Sequence, residues 1–172
     1  MPILLIGVYF LISHNGRKII FLLIIFFTIC TYGVASKIGK QQDEQFTLEQ
    51  NLYNEANTLF NTGSFEEAVI LTNELIVRYP NSEILNYLHA SILSELEEHD
   101  MAKFFIEKTL ELNPYLMEDP VFMLDFGTIL KKGNYKTEAL LVFEHCLQMD
   151  WNPSEYPTYK ETITKYIEEL TI

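Results

Sequence analysis

The chain has 172 residues, 24 of them acidic and 12 basic, for a formal net charge of −12; that is room for one ordinary domain, or for a short repeat array with a separate targeting segment. Residues 1–40 contain no acid and four basic groups (Arg17, Lys18, Lys37, Lys40), so the remainder sets all 24 acids against eight basic residues, a net −16. Such a surplus repels a polyphosphate backbone, and no basic stripe with interleaved aromatics offsets it, which excludes nucleic acid as an expected partner.

Two apolar runs flank the polar stretch Ser13-His14-Asn15-Gly16-Arg17-Lys18. The second, residues 19–36, is 18 residues without a charge; as a helix it reaches about 27 Å, close to a hydrocarbon core of about 30 Å, so it can span a membrane. The first, residues 3–13, reaches only about 16 Å and is expected as an extended n-region or an interfacial piece. Arg17-Lys18 before the apolar core and the small residues Gly33-Val34-Ala35-Ser36 after it also fit a secretory signal with cleavage after Ala35 or Ser36. The expectation is a single-pass membrane protein with its soluble part on the extracytoplasmic side, the alternative being a secreted or periplasmic protein after cleavage. Ile29 before Cys30 departs from a lipoprotein export signal, where a small residue precedes the acylated cysteine. Residues 41–48 are polar and are expected as a solvated linker.

Beyond the linker the chain is self-similar. Ala68 and Ala102 are 34 residues apart, as are Pro80 and Pro114. In the first unit Leu52, Ala56, Leu59, Gly63, Phe65, Ala68, Leu75 and Pro80 mark two helices and a sharp turn, with Ser64 and Glu67 as a capping box. The second supplies Ala90, Leu93, Ala102, Ile106 and Pro114, but has Glu97 and His99 at its turn and Asn86 in place of an aromatic, which makes it the poorest match. The third opens on Asp119-Pro120, an N-cap followed by proline at the first helical turn, and continues with Met123, Phe126, Gly127, Leu130, Ala139 and Phe143. Its turn, Gly133-Asn134-Tyr135, reads as one residue longer than the others.

This pattern resembles the tetratricopeptide repeat (TPR), a helix-turn-helix unit of 34 residues. The resemblance covers residues 49–153 and implies an all-α fold: a right-handed helical solenoid of three repeats (49–82, 83–116, 120–153). It is preceded by the hydrophobic targeting segment of residues 1–40, whose main helical span is 19–36. A capping segment, 154–172, completes the solenoid. There Thr158 and Glu161 form a further capping box, and Ile163, Tyr166, Ile167 and Leu170 make one apolar stripe on a helix ending near Leu170.

In that family the first helices of successive repeats line a concave groove, and ligands meet set positions of each unit. Carried over by position, the groove residues are Gln50, Tyr53, Asn57, Phe60 and Asn61 from the first unit, Ile84, Tyr87, Ser91, Ser94 and Glu95 from the second, and Val121, Leu124, Thr128, Lys131 and Lys132 from the third. Only Asn57 fits the clamp by which some members grip a terminal carboxylate; Tyr53 replaces a lysine there and Asp125 stands near an expected base. The implied groove is apolar and aromatic in the middle with Lys131 and Lys132 at one end, suited to a protein or peptide partner with apolar or aromatic anchors.

Catalysis has no support in the residues. His14, His89, His99 and His145 lie in no metal-ligand spacing, Glu144-His145-Cys146 point to different faces of a helix, and no nucleophile elbow or phosphate-cradling glycine loop is present. No cofactor is expected, and Cys146 reads as a small buried hydrophobe rather than a reactive thiol.

Overall fold

The computed structural model describes residues 14–149, 151 and 156–171. The apolar run 3–13, and Pro153 with the first residues of the proposed capping segment, lie outside them. The described chain is all helical: α1 (His14–Asn61), α2 (Phe65–Arg78), α3 (Glu83–Glu95), α4 (His99–Leu112), a 3-10 turn (Pro114–Glu118), α5 (Pro120–Lys132), α6 (Lys136–Gln148) and α7 (Tyr159–Thr171). It divides into two compact units, Met1–Leu48 and Glu49–Ile172.

The first unit is the greater part of α1. From Ile19 to Val34 its large apolar side chains, Ile20 apart, are exposed, from 39 % at Ile25 to 77 % at Tyr32. The polar Thr28 and Thr31 are satisfied within the helix, donating to the carbonyls of Ile25 and Thr28 at 2.8 and 3.0 Å. A helix apolar all round has no single face to pack on a core. Residues 41–48 are solvated, as their composition requires, and helical, since Gln, Glu and Leu lose little rotamer freedom in a helix.

The second unit stacks helix pairs: the end of α1 shares a buried cluster with α2 and α3, α3 pairs with α4, α5 with α6, and α7 closes against α6. Three buried pairs of small residues set these crossings, each pair 12 residues apart: Ala56 and Ala68, Ala90 and Ala102, Gly127 and Ala139. The three interhelical turns repeat one hydrogen-bond pattern. The amides of Ser64, Glu98 and Tyr135 donate to the carbonyls of Leu59, Leu93 and Leu130, each at 2.9 Å. In each turn the preceding residue is left-handed: Gly63 at φ 81°, Glu97 at 62°, Asn134 at 61°. Asn134, not Gly133, therefore does the work of Gly63, and the third turn carries no extra residue. The longer spacing to the third unit arises between repeats, where residues 113–119 and their 3-10 turn replace the shorter connection 79–82.

Capping differs from expectation at one end and agrees at another. Ser64 occupies the N-cap of α2 but, at ψ 64°, lies outside the extended region, and its side chain makes no cap bond. Asp119 caps α5, its carboxylate accepting the amides of Val121 and Phe122, with Pro120 at the first turn. Asn86, fully buried, replaces an aromatic for a reason of its own: Nδ2 donates to the carbonyls of Pro80 and Ser82 at 3.1 and 2.6 Å, tying the first inter-repeat connection to α3.

The core runs in two clusters. One surrounds Ala56, Ala68, Leu88 and Ile92; the larger runs from Ala90 through Phe105, Phe126 and Phe143 to Tyr159 and Ile163 of α7. Cys146 is fully buried in the larger cluster, beside Tyr159, and burial pushes its thiol pKa up, away from the thiolate.

Candidate functional site

The first helices of the three repeats share a face. From the end of α1, from α3 and from α5 they enclose a cleft of about 300 Å³. Seven residues placed in the groove by position meet there: Tyr53, Asn57 and Phe60 of α1, Tyr87 and Ser91 of α3, Thr128 and Lys132 of α5. Ser94 and Glu95, also among the carried-over positions, line the same cleft, together with Leu88, Asp125 and Ile129. A second, smaller cleft of about 210 Å³ adjoins at Tyr87, lined also by Ile84, Val121 and Phe122.

Four positions fall elsewhere. Leu124 is only 6 % exposed and belongs to the core, so it offers no groove surface. Gln50 is exposed on α1 but lines neither cleft. Lys131 turns to the cap, where its Nζ lies 2.7 Å from a Glu169 carboxylate oxygen and 4.5 Å from the centre of the Tyr166 ring. Asn61 is likewise exposed outside both clefts.

Tyr87 is both wall and support. Its ring meets Phe122 edge-on at 5.4 Å, and its hydroxyl donates to Asp125 Oδ2. Burial and the facing carboxylate hold the phenol well above its ordinary pKa, so it stays a donor. Burial also pushes the Asp125 carboxyl pKa up; the Tyr87 bond partly counters this and the nearby Asp119 charge adds to it. Lys132 is engaged by Glu95 at 2.7 Å. Neither lysine is thus an open cationic end of the groove: one is held by α3, the other by α7. The clefts together present Glu83, Glu95, Asp119 and Asp125 against a single base, Lys132.

Beneath the groove His89, 2 % exposed, meets the Thr72 hydroxyl through Nδ1 at 2.8 Å and Phe105 edge-on at 4.6 Å. Burial pulls its pKa down to about 4 and keeps the imidazole neutral. It is a core histidine that joins the first repeat to the second.

The sequence pattern of the tetratricopeptide repeat matches residues 85–115. This is the second unit, the one whose turn departs furthest from the repeat. No curated protein matches the chain. Among solved structures the fold is shared with the type III secretion translocator chaperone SycD of Yersinia enterocolitica, at 15 % identity over 71 % of this chain and 82 % of that one, with a TM-score of 0.60. SycD in complex with a peptide of the translocator YopD gives 18 % identity, 73 % and 92 % coverage and a TM-score of 0.59. The TPR2B domain of yeast Sti1, in a pHsp70 complex, gives 17 %, 72 %, 95 % and 0.58. At these identities the likeness is one of fold: the chain is all-α, with TPR-like stacked helix pairs and one matched repeat.

Proposed function

We propose that the chain is a membrane-tethered docking module, whose concave face takes a segment of a partner protein through apolar and aromatic anchors in an envelope assembly or maturation complex. The observation that carries this reading is the cleft itself: three successive repeats build it jointly, and Tyr53, Phe60 and Tyr87 supply the kind of wide, rigid surface that dominates binding at protein interfaces. Two of the structurally similar proteins are solved with a peptide of YopD and with pHsp70, which supports peptide capture as the use of such a face here.

The tether rests on residues 19–36. Eleven Ile, Leu, Phe and Val residues in that run contribute about −5 kcal/mol to membrane insertion on a translocon scale. Exposed in water, the same side chains would form an apolar surface that a monomeric soluble protein does not keep. The extracytoplasmic side is the proposed location of the repeats. The competing reading, a cleaved and released chaperone-like TPR protein, is favoured by Gly33-Val34-Ala35-Ser36 after the apolar core.

Membrane fractionation with alkaline extraction and intact-mass measurement decides between them. Full-length chain in the extracted membrane pellet is the expected result; soluble protein beginning near Ser36 or Lys37 overturns the tether. For the groove, a photo-crosslinking residue at Asn57 or Ser91 is expected to capture a partner that the same residue at Glu144, on α6, does not. Equal capture at all three overturns the docking face.

A further inference from the structure

The groove is not only apolar. Asp125 stands on α5 among the aromatic residues of the cleft and, among the described residues, makes no ion pair; the Tyr87 hydroxyl bonds one carboxylate oxygen, Oδ2, and leaves the other free. Ser94 lines the same cleft at 4 % exposure, and its hydroxyl has no hydrogen-bond partner among the described residues. A buried polar group left unpaired costs about 1–3 kcal/mol; Ser94 is such a group, and with the half-buried Asp125 carboxylate in the same cleft it marks a place whose complement is missing. The surrounding charge says what that complement is. Glu95 is matched by Lys132, whereas Asp119 and Glu83 line the adjoining cleft without a base beside them.

From this arrangement we infer that the cleft is an anchoring site for a cationic side chain, a Lys or Arg of the docked segment, set between that segment's apolar residues. The inference rests on the docking reading above and gives its partner a chemistry. An ammonium or guanidinium donates to the Asp125 oxygen that Tyr87 leaves free, a charge-assisted bond. The faces of Tyr53, Phe60 and Tyr87 attract a cation and exclude water from the pair. Burial pushes the Asp125 carboxyl pKa up, and a bound cation opposes that shift. A carboxylate ligand meets the opposite field: its charge adds to Asp125, Asp119 and Glu83, and no free lysine lines either cleft.

The test uses the full-length protein in phosphatidylcholine nanodiscs at physiological salt, with a displayed library of random peptides selected on wild type, Asp125→Asn and Asn57→Trp. Asparagine still accepts the Tyr87 hydroxyl, and Asn57 is exposed, so neither change removes core packing. The expected wild-type pool has a Lys or Arg at a fixed offset from its aromatic or aliphatic residues. In a synthesised member, replacing that residue by norleucine or citrulline weakens binding by about tenfold, and on Asp125→Asn the preference and the tenfold difference both vanish. A pool without the cation, or one whose cation preference survives Asp125→Asn, overturns the anchoring site. In either case loss of binding on Asn57→Trp leaves the docking reading intact. Peptides indifferent to Asn57→Trp, or no selected peptides at all, overturn the docking reading as well.

Discussion

Gly127→Ala adds one methyl group to a close helix crossing. A Cβ built on Gly127 lies 2.4, 2.8 and 2.9 Å from Cε1, Cδ1 and Cζ of Phe143, about 1 Å short of ordinary carbon contact at the nearest atom. Phe143 is fully buried and backed by the Tyr166 ring at 5.4 Å, so it has nowhere to retreat. Overpacking of this kind costs about 1–3 kcal/mol, against about 1 kcal/mol gained by replacing a mid-helix glycine with alanine. The expected net loss is about 1 kcal/mol. In the second unit the same two positions hold Ala90 and Ile106, which suggests the counter-experiment. With Phe143→Ile already in place, Gly127→Ala is expected to stabilise by about 0.5–1 kcal/mol, a coupling of about 2 kcal/mol in the double-mutant cycle. Urea unfolding is read from Trp151, the only tryptophan, which meets Tyr159 edge-on at 4.7 Å and so reports the capped end of the core. If Gly127→Ala has the same sign and size in both backgrounds, the complementarity between the missing side chain and the phenylalanine ring is refuted.

Glu97 holds a left-handed conformation at φ 62° that costs a non-glycine residue about 1–2 kcal/mol; Glu97→Gly is expected to raise stability by about 0.5–1 kcal/mol after the glycine's greater unfolded-state entropy is deducted, measured by the same unfolding, and a loss would show that Glu97 makes a contact worth more than its strain. His89, at about pKa 4 in the fold against 6.5 unfolded, takes up its proton more readily when unfolded. Its contribution is therefore fully present above pH 6.5 and falls away as the pH drops towards 4, by about 3 kcal/mol in all. The carboxyls of Glu138 and Glu169, held low chiefly by Lys103 and Lys131, lose their share only below about 4.5, and Asp125, raised by burial, acts with the opposite sign, gaining stability as the pH falls through its raised pKa. A stability profile flat between pH 6.5 and 4.5, or an imidazole proton signal of His89 titrating near 6.5, would refute its burial in the neutral form.

The fold was legible because its hardest constraint is local. Where two helices cross closely only a small residue fits, and the 12-residue intervals from Ala56, Ala90 and Gly127 to their partners survive in sequence whatever else drifts. The turns were less legible. A left-handed residue is marked by glycine in the first unit, by asparagine beside a misleading glycine in the third, and by nothing in the second, where Glu97 bears the strain unannounced. Reading Gly133 as the turn residue placed an insertion in the wrong part of the repeat; the backbone bond from Tyr135 to Leu130 puts the added length in the 3-10 segment instead.

The groove's outline follows from the same frame, since position within a repeat decides which helix face a side chain occupies. Its charge does not, because that depends on pairs the frame never brings together in sequence. Lys131 and Lys132 are neighbours in the chain but about 100° apart on α5, so one reaches Glu169 in the cap and the other Glu95 on α3. With both engaged, the basic end expected of the groove closes, and Asp125, which in the sequence was only a departure from the carboxylate-gripping members of the family, is left as the cleft's unmatched charge. The net −16 of residues 41–172 carried no sign of this, since most of those acids face water. The preference of the groove is set by a few residues of mixed sign whose partners lie about 37 positions away, and a substitution that frees Lys132 from Glu95 would change that preference without touching the aromatic wall.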